Sequence, residues 1–129
     1  METLNQDIFA TVPKEDYLSF FQENRPKYRG IMQFLDFKKD DVSNATGIPL
    51  SSVRYDDKVP ADLEKRFSEW ATLLNLVAGH FEGDRSKTSL WFTMQNPLLG
   101  NVAPRDMIRS GRYKKLVKFV ITALAENRR

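Results

Sequence analysis

One stretch constrains the fold of this chain more than any other. Leu63, Phe67, Trp70, Leu74, Val77 and Phe81 recur at spacings of 4, 3, 4, 3 and 4 residues, which is the repeat of one face of an α-helix. Pro60 precedes the stripe, and Asp62 and Glu64 fall in its first turn, where the positive end of a helix favours carboxylates. Gly79 and Gly83 mark its end, and Ala71 and Ala78 flank it with room for a close neighbour. The pattern predicts the central helix of a small bundle. The same 4-3 repeat also suits a coiled-coil seam between two copies. With 129 residues, 41% of them hydrophobic, the chain suits one domain or two small helical units sharing a core.

Composition then removes most chemistry. There is no cysteine, which excludes disulfides, thiolate metal sites and cysteine nucleophiles. The single histidine, His80, cannot form a paired-imidazole metal site. It falls near the C-terminal end of the long helix, where the dipole favours an imidazolium, and a structural role is expected of it. No apolar run approaches the roughly 20 residues that span a bilayer, and the N-terminus lacks a basic-then-apolar leader. A cytoplasmic protein without membrane contact is expected. Acidic pairs at 15–16, 40–41 and 56–57 sit at helix starts, and adjacent helical residues do not face each other. With no phosphate loop or nucleophile elbow, no catalytic residue, metal or cofactor is expected.

Upstream of the long helix, residues 1–12 show no period and read as an arm. Pro13 followed by Lys14, Glu15 and Asp16 predicts a short helix carrying Tyr17, Leu18, Phe20 and Phe21, ended at Asn24 to Pro26. Tyr28 to Phe37 reads as a second helix, with Ile31, Phe34 and Leu35 at i, i+3 and i+4. A compact corner follows. A short helix around Val42 ends at Gly47, Ile48 comes next, and a Pro/Ser-rich start leads into another short helix carrying Val53. Small residue, glycine, then apolar residues at these offsets is helix-turn-helix spacing. It displays Ser51, Ser52, Arg54 and Tyr55 as candidate DNA contacts. Thr46 stands where an apolar residue is usual, and Asp56 and Asp57 add negative charge where phosphates would lie.

The net charge of +3 is unevenly spread. Residues 1–66 hold ten Lys/Arg against twelve Asp/Glu, whereas residues 101–129 hold eight against two. In that basic quarter, Asn96-Pro97 and Gly100-Asn101 are turn signals, and Pro104 opens a short helix closed by Gly111. A last helix follows Arg112, with Tyr113, Leu116, Val117, Val120 and Leu124 on one face and Lys114, Lys115 and Lys118 on the other.

Trp91, Asn96-Pro97, Leu99-Gly100, Pro104, Ile108 and Gly111, in that order and spacing, resemble the toxin-binding domain of Xre/MbcA/ParS-type bacterial antitoxins. The pattern covers about a quarter of the chain, and the corner and long helix extend the resemblance over residues 28–129. Two departures stand out: Asn101 replaces a second glycine, and Ala103 replaces the hydroxyl residue before proline. The resemblance implies an all-α bundle with an N-terminal arm and short helix (1–27), a helix-turn-helix-like unit with the long core helix (28–82) and a toxin-binding unit (83–129). It further implies an antitoxin of a type II module, dimeric, that neutralises a cognate RES-domain, NAD-consuming toxin and represses its own operon. The alternative is a stand-alone helix-turn-helix regulator without a toxin. Most of the matched residues are expected to build the corner. Toxin contact is expected from Arg105, Arg109, Arg112 and the three lysines, because arginine pairs bidentately with carboxylates and is enriched at interfaces.

Overall fold

The structure, a computed structural model, describes residues 15–56 and 58–127. Among them are six α-helices: α1 (Tyr28–Leu35), α2 (Lys39–Thr46), α3 (Ala61–His80), α4 (Arg85–Thr93), α5 (Pro104–Arg109) and α6 (Tyr113–Asn127). The molecule is a small helical bundle, and no described helix is long and apolar enough to cross a membrane.

The expected helix after Pro13 does not form in the described part of that segment; Pro13 and Lys14 lie outside the described residues. Instead β1 (Phe21–Gln22) pairs antiparallel with β2 (Arg25–Pro26), Phe21 opposite Pro26. The reason is local and tertiary at once. Both Asp16 carboxylate oxygens are used locally, accepting from the amides of Phe20 (2.8 Å) and Phe21 (3.0 Å). Glu23 and Asn24 take φ of 52° and 65°, the paired left-handed geometry of a two-residue hairpin turn whose twist matches the strands. Leu18 and Phe20 are buried while Ser19 between them is exposed, so the true period here is two. Asn75 of α3 completes the anchor: its Oδ1 accepts from the Leu18 amide at 2.9 Å and its Nδ2 donates to Asp16 at 3.0 Å.

The long helix lies at the centre. Leu63, Phe67, Trp70, Leu74 and Val77 are buried as the stripe predicts, and so are Ala71, Leu73, Asn75 and Ala78. A helix enclosed this widely has neighbours on several sides, and its apolar seam is used within one molecule rather than between two. Hairpin strand β2, α1, α4 and α6 all pack on it. Trp70 meets the edge of Phe37 and the ring of Phe67, with centroids 5.7 and 4.9 Å apart. Phe92 of α4 reaches Phe34 of α1 at 6.4 Å. The two units expected at 28–82 and 83–129 therefore share one core.

The corner after α2 forms, but only half as expected. Gly47 ends α2 at φ 76°, its amide donating to the Ser43 carbonyl at 2.8 Å. Val42 and Val53 are buried and Ile48 half-buried, which locks the corner. Thr46 is explained by a polar bridge: its hydroxyl donates to the Val42 carbonyl (2.8 Å) and accepts from the Ile48 amide (3.2 Å). The second helix is a correction. It is a single 3-10 turn over Leu50–Ser52, and Val53 lies beyond it in extended conformation. Val53 is drawn into the core, and Tyr55 stacks on Tyr28 with centroids 5.6 Å apart. Both destinations pull the chain out of helix.

Candidate functional site

The matched residues from Trp91 to Gly111 build one corner. Asp84 caps α4, accepting from the Lys87 amide at 2.9 Å, and α4 carries Trp91 and Phe92 inward. The chain then turns through Asn96, whose Oδ1 accepts from the Leu98 amide at 2.9 Å, with Pro97 opening a 3-10 turn over Pro97–Leu99. Gly100 and Asn101 follow at φ 72° and 61°. The replacement of a second glycine by asparagine is thus accommodated, since asparagine enters this region more readily than other side chains. The loop closes where the Asn96 amide donates to the Val102 carbonyl at 3.2 Å. Pro104 is buried at the first turn of α5, and Ala103 before it supplies no side-chain cap. Amides of Gly111 and Arg112 donate to the Ile108 and Met107 carbonyls, turning the chain into α6.

Of these residues Trp91, Asn96 and Leu99 are half-buried, Pro104 is buried, and Pro97, Gly100, Gly111 and Arg112 are exposed. Between this corner, the end of α3 and the second half of α6 runs an apolar groove of about 310 Å³. Val77, Phe81, Trp91, Leu98, Phe119 and Ala123 line it, with Asn96 and His80 as polar members. Leu98 is 79% exposed at this groove, a large apolar side chain held in solvent by a tight turn. The pattern placed the turn but did not single out Leu98; its position directly after Asn96-Pro97 was the available signal.

The expected basic surface is presented to solvent only in part. Arg105 and Arg109 are half-buried and face inward across α5, which packs on α2, α4 and α6. Arg105 Nη1 donates to the Leu35 carbonyl at 3.4 Å and pairs with the Asp36 carboxylate at 3.3 Å. Arg109 pairs with Asp41 at 3.7 Å and Asp106 at 3.5 Å, its guanidinium 5.5 Å from the Phe37 ring centroid. Asp106 is a local partner of Arg109, but Leu35, Asp36 and Asp41 lie about seventy residues upstream, which is why local spacing did not reveal them. These two cations hold the C-terminal corner to the α1–α2 junction. Arg112 is exposed and donates to the Ser110 hydroxyl at 3.0 Å, and Lys114, Lys115 and Lys118 are exposed along α6.

The candidate DNA contacts are dispersed rather than displayed on a helix face. Ser51 is exposed and Ser52 half-buried on the 3-10 turn. Arg54 Nε donates to Asp56 at 3.0 Å, and the Arg54 hydrogen bonds, followed by the Lys58 amide, hold the Asp56 carboxyl below its ordinary range. Tyr55 is half-buried, and burial pushes its phenol up. A group of cations outside the expected contacts surrounds it. Arg29 and Lys39 lie 5.9 and 5.5 Å from the Tyr55 ring centroid, and Arg25, Lys27 and Arg29 line an open cleft of about 620 Å³ with Tyr28, Tyr55 and the carboxylates Glu23 and Asp56. The run Arg25-Pro26-Lys27-Tyr28-Arg29 was its signal in the sequence.

Comparison with protein-family models, curated proteins and solved structures finds no match to this chain.

Proposed function

We propose that this protein is an antitoxin-like binding module that neutralises a partner toxin by covering it, the partner being a RES-domain, NAD-consuming toxin as the sequence resemblance implies. One observation carries the reading: the Trp91-to-Gly111 segment folds into a tight corner that exposes Leu98, and the helix after it presents Lys114, Lys115 and Lys118 to solvent. An apolar anchor together with exposed ammonium groups suits an acidic protein surface, because the anchor supplies affinity and the charges guide approach. Steric coverage asks no bond chemistry of the antitoxin. Co-expression with the product of the adjacent reading frame tests it. A stable complex is expected, and Lys114→Glu with Lys118→Glu weakens it by about tenfold or more. Absence of a complex, or one indifferent to both changes, overturns the reading.

Operator binding is the second reading, favoured by the cations gathered around Tyr28 and Tyr55. Retardation of the protein's own promoter fragment would then weaken steeply with salt and with Arg29→Ala plus Lys39→Ala. Arg54→Ala is expected to matter less, since Arg54 already holds Asp56. A flat salt response overturns it.

A further inference from the structure

The cleft beside the N-terminal hairpin joins an aromatic wall to free cations. Tyr28 and Tyr55 line it with rings 22° from parallel and centroids 5.6 Å apart. Phe67, fully buried in α3, sets its ring across both, at 76° to Tyr28 and 80° to Tyr55, so the pair is held from the core side. Among the described residues Tyr28 meets no further ring, which leaves its face turned away from Tyr55 without an aromatic neighbour. Lys27 and Arg29 stand on either side of Tyr28 in the sequence, exposed on the cleft wall, and Lys39 lies 5.5 Å from the Tyr55 centroid. Arg25 is engaged by Glu64 and Asp56 by Arg54. Lys27, Arg29 and Lys39 have no ion-pair partner among the described residues. Glu23, exposed at the hairpin turn, is the carboxylate on the cleft wall that opposes them.

We infer that this cleft binds single-stranded nucleic acid, an unpaired base stacking on Tyr28 while Lys27, Arg29 and Lys39 hold the flanking phosphates. A tyrosine ring can stack with any base, and cations beside it meet the phosphates on either side. In a duplex the base faces already stack on their neighbours, and only edges and phosphates are open to a protein. Reading those edges takes an element that protrudes into a groove. Here the aromatic pair lies in a recess of about 620 Å³, and the chain after Pro49 makes one 3-10 turn instead of a helix. A recess walled by rings suits a nucleotide turned out of its strand better than it suits a double helix. The inference shares its cations with the operator reading and names a different partner for them. It stands or falls on single strands, whether or not the promoter fragment is retarded.

Fluorescence anisotropy of the full chain with a labelled thymidine strand of about 12 nucleotides tests it. A base-free strand and a blunt duplex, both of the same length, serve as the comparisons. At low salt the thymidine strand is expected to bind about fivefold or more tightly than the base-free strand of equal charge, and more tightly than the duplex. Lys27→Ala with Arg29→Ala should weaken binding about tenfold. It should also flatten the fall of log affinity with log salt by about 1.4, the share of two phosphate contacts to a single strand. Glu23→Gln, which removes the opposing charge, should tighten binding by about twofold. Tyr28→Leu should bring the thymidine strand down to the level of the base-free one, whereas Tyr28→Phe keeps the ring and stays within about twofold of the unaltered chain. Far-UV circular dichroism confirms that each variant keeps its helices, and the comparison of strands on the unaltered protein needs no variant. Equal binding of the thymidine and base-free strands overturns the inference, since charge alone then accounts for it. Tighter binding of the duplex also overturns it and leaves the operator reading in place. No binding of the thymidine strand at low salt overturns it equally.

Discussion

Asn75 is the polar residue on which the N-terminal segment depends. It is 5% exposed on the otherwise apolar buried face of α3 and uses both ends of its amide, one on the Leu18 backbone and one on Asp16. Removing it leaves a buried amide without an acceptor, and such a loss costs about 1–3 kcal/mol. Asn75→Ala should lower the urea midpoint accordingly and free the Leu18 amide to exchange. Tyr113 offers a test of another kind. Its hydroxyl donates to the Glu69 carbonyl at 2.7 Å, and burial, with the Glu69 charge second, raises its pKa well above 10.0. The unfolded chain ionises this phenol near its ordinary value while the folded chain holds the proton, so stability is full below pH 10 and falls as pH climbs toward the folded value. The urea midpoint should decline above pH 10 and decline less in Tyr113→Phe. Arg105 and Arg109 teach a related lesson. Their charge was legible in the sequence, but Asp36 and Asp41, which receive it, were legible only once the fold brought them near.

At the scale of elements, what repeats every three to four residues was readable and what turns on distant contacts was not. The stripe in α3, the apolar face of α6 and the Pro104-to-Gly111 helix follow from local spacing. The hairpin at 21–26 does not, because Glu23 is an ordinary side chain in left-handed geometry and Asn75 anchors the segment from far along the chain. The helix expected after Pro49 shrank to one turn because Val53 and Tyr55 are held by core and ring contacts. The corner before it nevertheless depends on Gly47. No neighbour lies within 4 Å of a Cβ added there, so the cost of a side chain is set by its φ of 76° alone. Gly47→Ala should destabilise the protein by about 1–2 kcal/mol, the penalty of a left-handed alanine, and Gly47→Asn by clearly less. Thermal unfolding of the pair decides whether the corner is held by backbone geometry or by its apolar lock.

Across the whole molecule, the C-terminal corner and the N-terminal helices stabilise each other. Phe92 and Leu116 are fully buried in the same cluster as Ile31, Leu35 and Val42, and Arg105 and Arg109 tie the two halves at their surface. Unfolding should therefore be one cooperative event, with the change in tryptophan emission coinciding with the loss of helical circular dichroism. Leu116→Ala should shift both signals together by about 2–5 kcal/mol, the range for truncating a buried leucine. Residues 28–82 expressed alone should show little helix, for want of the partner surfaces of α4 and α6. Separate transitions for the two signals would mean that the halves fold as independent units. The candidate site belongs to this scale as well. Its turn residues were legible as a pattern, but the exposure of Leu98 and the inward aim of the arginines depend on how α4, α5 and α6 meet.

The anchoring of the segment before β1 also sets an order of events during synthesis. Leu18 waits for Asn75, 57 residues later, and its carbonyl waits for Arg85, 67 residues later. A ribosome adding residues one by one releases the hairpin long before its anchors exist. The hairpin therefore cannot settle until the central helix and the start of α4 have cleared the exit tunnel.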